Sequence, residues 1–359
     1  MARPVIHHRT PHFAAVLDSV RQQLQPLFGT RQEVILLASS GTGAMEAVVA
    51  NLLSPDEHAV YVDGGKFGER WGQLIRAHGA TAHQVRVEWG RSVRAEQVED
   101  ALTANPQAKA VFVQASETST GALHPIAEIG EVTRRHDVIL VVDGITSVGV
   151  FEQKMDVWGV DALVTGSQKA LMLPPGLAMV ALSERALAQA SKCRGRRFYF
   201  DLLRELKSQR DEHTTAYTPA VSLVFGLHKA LELIHAETLP RVFARLLLMA
   251  EATRAAAQAL GLEILPENPA PGLTAILAPK NIDSGQIVRY MRDELGVWVQ
   301  GGQDRMKGRL IRIGHMGHLS PFDMLTAVSA LEIALGRVGY AFECGAGVAA
   351  VQRRISQGI

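Results

Sequence analysis

Cysteine is nearly absent: Cys193 and Cys344 are the only two in 359 residues. Two cysteines cannot build a disulfide framework, and without a paired CxxC spacing they make no zinc site, so a reducing compartment is expected. Neither sign of charge is in excess, since 37 lysines and arginines face 36 aspartates and glutamates. That balance provides no global field for nucleic acid or an anionic membrane. Long apolar runs are also missing. No stretch approaches the ~20 residues of a membrane helix, and the opening MARPVIHHRTPHFAAVLDSV lacks the apolar centre of a signal peptide. The expectation is a cytoplasmic protein with no nucleic-acid or membrane partner, whose ligand is small or is another protein.

Core material, by contrast, is ample. Hydrophobic residues make up 47% of the chain and charged residues 20%, which excludes a mostly disordered polymer. A chain of 359 residues exceeds what one compact core usually holds, so two domains, or one large domain with a lobe, are expected. From about residue 33, short β-branched runs alternate with amphipathic stretches: EVILLAS, GAMEAVVANLL, HAVYVDG, GERWGQLIRAHG. The alternation continues through QVRVEW, AVFVQAS, HPIAEIGEVTRRH, VILVVDG, DALVTGS and GLAMVALS. Such a pattern predicts an α/β fold with a mostly parallel sheet covered by helices.

Around residues 220–262 the period becomes helical over long stretches, as in a connecting region. LTAILAP, GVWVQGG and RLIRIGH then alternate with helix-like segments and predict a smaller C-terminal α/β domain. The expected division is an N-terminal segment over 1–29, a large domain over 30–235, connecting helices over 236–262, a small domain over 263–340 and an uninformative tail over 341–359.

Four places carry groups able to do chemistry. ASSGTGAMEAV, at 38–48, is a strand-to-helix turn whose helix would begin with unpaired amides suited to an anion. It matches neither GxGxxG nor the P-loop pattern, so dinucleotide and nucleoside triphosphate binding are not supported. VILVVDGITSVG brings Asp143 to the carboxyl end of an apolar strand, where ligands of open α/β sheets bind. ASETSTGALHP opens another strand end into Glu117, Thr118, Ser119 and Thr120, a cluster more often seen in turn chemistry. TGSQKALMLPPG places Lys169 after a third strand. Singly, each is as well explained by architecture; together they aim an acid, hydroxyls and an amine at one crevice. A lysine among apolar groups loses its charge, and the free amine is the nucleophile for a Schiff base with a carbonyl. If that carbonyl is the aldehyde of pyridoxal phosphate, the turn takes the phosphate and Asp143 keeps the pyridine nitrogen protonated.

The ordered motifs SSGTGAMEA, GGKFGERW, ETSTGALHP, VVDGITSVG, GSQKALMLPPG, TPAVSL and RIGHMG resemble the class V aminotransferases of the pyridoxal-phosphate fold type I superfamily. The nearest subgroup is that of alanine–glyoxylate, serine–glyoxylate and serine–pyruvate aminotransferases. The resemblance implies pyridoxal 5′-phosphate as cofactor, with Lys169 as the Schiff-base lysine and proton shuttle and Asp143 as the pyridinium partner. It sets Ile145 and Phe67 against the two ring faces, and Ser40, Gly41, Thr42 and Gln168 near the phosphate. Thr118 is similar to a hydroxyl near the ring oxygen. Arg312 matches an arginine that clamps the substrate carboxylate, a task suited to a planar guanidinium. Thr215 and Thr218 match residues that reach the cofactor phosphate of a partner subunit, which implies a homodimer with shared sites. The implied substrates are a small amino acid, alanine or serine, and a 2-oxo acid, glyoxylate or pyruvate; ureidoglycine as donor stays open.

The resemblance departs at the front, where a Gly-Pro-rich stretch and short helix of the relatives have no counterpart before HHRTP. A misplaced start, an altered substrate range or a cofactor-holding chain of poor turnover would each account for this. The alternatives are therefore a pyridoxal-phosphate-binding subunit with little activity and, less favoured, a cysteine desulfurase. A desulfurase needs a mobile cysteine well after the lysine and a histidine over the ring. Here Cys193 is too close, Cys344 too far along, and Phe67 replaces the histidine. His315 and His318 form an HxxH that lacks a third ligand and reads as loop geometry.

Overall fold

A computed structural model describes residues 4–358; residues 1–3 of the expected N-terminal segment and residue 359 of the expected tail lie outside the described residues. The strands are β1 (Val34–Leu37), β2 (His58–Asp63), β3 (Thr81–Arg86), β4 (Ala108–Gln114), β5 (Ser116–Glu117), β6 (Ala122–Leu123), β7 (Ile139–Asp143), β8 (Ala162–Gly166), β9 (Ala178–Leu182), β10 (Leu273–Leu277), β11 (Gln300–Gly301) and β12 (Leu310–Gly314). Seven of them form one sheet in the order β1-β9-β8-β7-β4-β2-β3. Neighbours from β8 to β3 are parallel, and β9 alone runs against both its neighbours. The reversal has a simple cause: the chain returns from β8 through the short loop 167–177 rather than through the long crossover that a parallel pair needs.

Strand residues alternate between two apolar layers. Leu140 and Val142 of β7 belong to one, with Val111, Val113 and Leu163, while Ile139 and Val141 belong to the other, with Phe112 and Val164. Both faces are dry, which is why these strands read as continuous apolar runs. Helix α1 (Pro11–Phe28) covers the first layer through Phe13, Leu17, Val20, Leu24 and Leu27, all fully buried. Thr10 caps it by accepting from the Phe13 amide at 3.3 Å, and Gly29 ends it in the left-handed region. A Cβ at Gly29 would lie 1.9 Å from the Gln153 carbonyl oxygen, so no other residue fits there. Helices α2 (Gly41–Leu52) and α3 (Lys66–Ala77) lie on the other face, where Trp71 packs 5.0 Å from Phe112.

Beyond the large sheet, helices Val221–Glu237 and Leu239–Ala259 meet at Thr238, whose φ of 73° breaks the run. A three-stranded antiparallel sheet, β10-β12-β11, follows. Of the expected strand GVWVQGG only Gln300–Gly301 pairs; the run does alternate, with Val297 and Val299 turned to the core and Trp298 76% exposed, but its first half has no strand beside it among the described residues. The tail is more ordered than its sequence suggests. Helix Ala346–Gly358 packs on Leu239–Ala259, and Glu332 accepts from the amides of Gly345 and Val348 at its start.

One edge of the large sheet is closed by a side chain. Gln209, fully buried on helix Leu202–Asp211, accepts from the Leu36 amide at 3.1 Å and donates to the Leu36 carbonyl at 2.7 Å, as a further strand would. Arg21 donates to the Val34 carbonyl beside it. Capping an open edge in this way also blocks pairing with another chain. Gln209→Leu strands a buried donor and a buried acceptor. A loss of about 2–4 kcal/mol in urea unfolding is expected, together with a greater tendency to aggregate.

Candidate active site

Strands β4, β7 and β8 lie side by side and parallel, with Gln114 opposite Asp143 and Asp143 opposite Val164. Their carboxyl ends therefore open at one level, and the segments that leave them carry Glu117, Asp143 and Lys169. Asp143 is 5% exposed, and its Oδ1 accepts from the Ile145 amide at 2.8 Å. Burial pushes its carboxyl up to about 7, the Ile145 amide opposes this, Glu117 adds to it, and Arg70 and Lys169 pull the other way. Lys169 lies in the field of the same cluster. Burial and the Arg312 charge hold its amine below the ordinary lysine value, against the pull of Asp143. The loop around it is tied shut: Ser167 Oγ donates to the Pro174 carbonyl at 2.8 Å, and the Met172 amide donates to the Lys169 carbonyl at 3.1 Å.

The amino end of α2 is built for an anion. Ser40, its N-cap residue, makes no side-chain cap, and the amides of Gly41, Thr42 and Gly43 have no hydrogen-bond partner among the described residues. Gln168 lies beside them, since a Cβ placed on Gly166 would fall 2.8 Å from Gln168 Oε1 and 3.2 Å from the Gly41 nitrogen. That buried carboxamide oxygen has no partner. A Cβ on Gly41 would strike Ile145 Cδ1 at 2.5 Å, so glycine lets the turn close onto Ile145. Unsatisfied amides, a buried carboxamide and an acid one strand away fit a group that carries both a phosphate and a basic ring nitrogen.

Phe67 begins α3 beside this turn. Arg70, one helical turn later, stacks its guanidinium 5.0 Å from the Phe67 ring centre and donates to Thr42 Oγ1 at 3.0 Å. Arg70 was not among the residues expected here. Its i,i+3 relation to Phe67 was the available signal, and an arginine on an amphipathic helix ordinarily faces solvent.

Arg312 enters from the small sheet, on β12. Its Nε donates to the Gly301 carbonyl at 3.0 Å and its Nη1 to the Thr118 carbonyl at 2.8 Å. Nη2 has no partner among the described residues. Thr118 Oγ1 itself pairs with Thr146 Oγ1 at 3.0 Å. Thr215 and Thr218 line a cleft with Leu37, Ala38, Leu177, Tyr199 and Tyr217, bordering the segment that leads to Ser40, and among the described residues no hydrogen bond joins either to the residues above. Neither cysteine is in the site. Cys193 Sγ sits 3.6 Å from the Ala50 carbonyl oxygen, and Cys344 is exposed. His315 is wholly buried between the Pro271 carbonyl and Thr274, and burial pushes its imidazole down to about 4.

A lysine amine whose charged form is disfavoured by burial is suited to attack a carbonyl, and a guanidinium with a free edge is suited to a carboxylate. The two belong to an α/β fold with a mostly parallel sheet that matches aminotransferase structures of the pyridoxal-phosphate fold type I class. The chain belongs to the class-V aminotransferase family, whose model matches residues 2–315. It is 39% identical to the small subunit of a soluble hydrogenase from Synechococcus sp., over 98% of this chain and 92% of that one. It is 34% identical to the L-aspartate–glyoxylate aminotransferase of Paracoccus denitrificans, covering 99% of this chain and 91% of the relative. Among solved structures, the pyridoxamine–pyruvate aminotransferase of Mesorhizobium loti superposes with a TM-score of 0.95 at 28% identity, over 99% of this chain and 93% of that one. The protein is an aminotransferase.

Asp143 gives the cofactor-free protein a pH signature. Its carboxyl titrates near 7 when folded against 3.8 for the ordinary group, so between those values the native state holds more protons than the unfolded one. Stability then falls as pH rises through this window, by about 1.4 kcal/mol per unit at most. Asp143→Asn removes that slope. In urea unfolding of cofactor-free protein, the variant should gain on wild type between pH 5 and pH 8; parallel profiles would contradict the assignment.

Proposed function

We propose that this aminotransferase uses pyridoxal 5′-phosphate to move the amino group of a small amino acid, alanine or serine, to glyoxylate or pyruvate. The observation that carries this reading is the convergence of Lys169, Asp143 and Arg312 on one crevice, with the lysine amine below its ordinary pKa. The acceptors agree with those named for the Paracoccus and Mesorhizobium proteins.

In this reading the amino end of α2, with Ser40, Gly41, Thr42 and Gln168, holds the phosphate. Asp143 holds the ring nitrogen, Ile145 and Phe67 flank the ring and exclude water, and Thr118 turns its hydroxyl to the ring oxygen. Bound there, the cofactor supplies a sink for the electron pair left when the Cα proton departs. Arg312 fixes the substrate carboxylate with its free edge, which aligns the Cα–H bond for removal. Lys169 Nζ, its charged form disfavoured by burial, takes that proton and later returns one.

In this reading Thr215 and Thr218 reach the cofactor phosphate of a second copy, and the enzyme is a homodimer with shared sites. Among the described residues no helix is long and apolar enough to cross a membrane, in keeping with a cytoplasmic enzyme.

Purified protein should show a visible absorbance band that borohydride discharges, and Lys169→Ala should lose the reducible adduct. A colourless protein that takes up no pyridoxal phosphate would sink the reading. With alanine, serine and aspartate screened against glyoxylate and pyruvate, Arg312→Lys should raise the KM of the accepted donor about 10- to 100-fold, because one charge-assisted bond of a pair is lost. An unchanged KM would place the carboxylate elsewhere.

A further inference from the structure

We infer that Glu117, which the reading above leaves without a role, is the positioning residue that sets both the stacking ring of Phe67 and the reach of Arg312. The inference rests on that reading of the site. Glu117 is wholly buried at the start of the two-stranded ribbon β5-β6. Its Oε2 accepts from the Gly68 amide at 2.9 Å, Gln114 Nε2 at 3.0 Å and the Phe67 amide at 3.2 Å. Its Oε1 accepts from Ser119 Oγ at 2.5 Å and the Ser119 amide at 3.0 Å.

These donors identify what the carboxylate does. The N-cap residue of α3 is Gly65, which offers no side chain, and a Cβ there would lie 2.5 Å from Glu117 Cδ. Glu117 thus caps α3 from a different strand, filling the space that Gly65 leaves and accepting from the first-turn amides; burial pushes its carboxyl up, and the bonds from Ser119, Gly68 and Phe67 oppose this. Phe67 is one of the two capped residues, so the cap fixes the height of its ring. Arg70, stacked on that ring and bonded to Thr42, follows.

The same anchor acts on the substrate side. The carbonyl of the next residue, Thr118, is the acceptor for Arg312 Nη1 at 2.8 Å. Glu117 is also the acid whose charge favours the ionised Arg312 guanidinium, against its burial. One buried carboxylate therefore links the aromatic over the ring to the arginine that takes the carboxylate, while touching neither ligand. Glutamine cannot replace it. An amide has one acceptor oxygen, and its NH2 must face either the amides of Phe67 and Gly68 or that of Ser119.

The test is a double-mutant cycle on cofactor affinity, measured by equilibrium dialysis of cofactor-free protein against pyridoxal phosphate. Glu117→Gln should weaken binding at least about tenfold, and Phe67→Leu should weaken it too. If Glu117 acts through Phe67, the double variant binds little worse than the weaker single variant. The KM of the amino donor should also rise in Glu117→Gln by more than kcat falls. Losses that multiply in the double variant, or a KM that does not move, overturn the inference. Ser119→Ala provides a milder version should Glu117→Gln not fold: it removes one donor, should weaken binding about threefold, and must show the same non-additivity with Phe67→Leu. Wild-type protein that binds no pyridoxal phosphate would defeat the site reading itself, whereas tight wild-type binding with independent losses defeats only the role of Glu117.

Discussion

A sheet covered on both faces leaves polar side chains one place to meet, the ends of its strands, and this constraint organises the molecule. β7 lies at the centre with all five residues buried, and its first four feed the two apolar layers alternately. Asp143, the fifth, is the first position at which a carboxylate can be tolerated, and only because the next turn returns an amide to it. Because β4 and β8 flank β7 in parallel, their exits share that level, and Glu117 and Lys169 arrive beside Asp143 without any long-range design. The amino end of α2, with its unpartnered amides, joins them because β1, which precedes it, runs in the same direction at the end of the sheet order.

The charges gathered there are unusual in having no partners of their own. Among the described residues, none of Lys169, Arg312, Arg70, Asp143 and Glu117 forms a direct ion pair. Elsewhere the protein pairs such groups readily, as in Arg245 with Glu237 at 2.7 Å. Buried charges left apart are costly, and here the cost is limited by backbone donors and acceptors: Ile145 for Asp143, Phe67 and Gly68 for Glu117, the carbonyls of Thr118 and Gly301 for Arg312. Neutral backbone partners hold a side chain in place without quenching its charge. The guanidinium keeps an edge free, and the lysine amine is held below its ordinary value by burial and Arg312 while no acid bonds to it directly.

Much of this was legible in the sequence for a physical reason. Groups that must sit at strand ends follow apolar runs directly, so Asp143 and Lys169 are marked by what precedes them, and a glycine turn before a helix marks Ser40 to Thr42. Glu117 and Arg70 were harder, because each acts across elements: Glu117 caps a helix that precedes it by fifty residues, and Arg70 meets Thr42 from another helix. The edge closure by Gln209 was invisible for the same reason. The alternation of GVWVQGG is real, with Val297 and Val299 inward and Trp298 outward, but periodicity does not say whether a neighbouring strand is there to pair with, and only Gln300 and Gly301 find one. The tail helix carried too weak a pattern to stand alone and is ordered by packing on Leu239–Ala259.

The small sheet contributes Arg312 to the crevice, and the way it is held bears on how the two parts cooperate. The bond from Arg312 to the Thr118 carbonyl is itself a tie between the small sheet and the large one. It is reinforced at the rim by Lys66 with Asp304 at 2.7 Å and by Arg305 stacked on Trp89. Lys66 is the residue before Phe67, so the rim tie and the cap of α3 converge on one turn of chain. A guanidinium held by two carbonyls from opposite sides cannot swing out to meet a carboxylate. In the proposed reading the carboxylate has to come to it, which would leave the amino acid little freedom in how its Cα faces Lys169. Orientation in this site is therefore a property of the junction between the two sheets, and it is established by the fold before any ligand arrives.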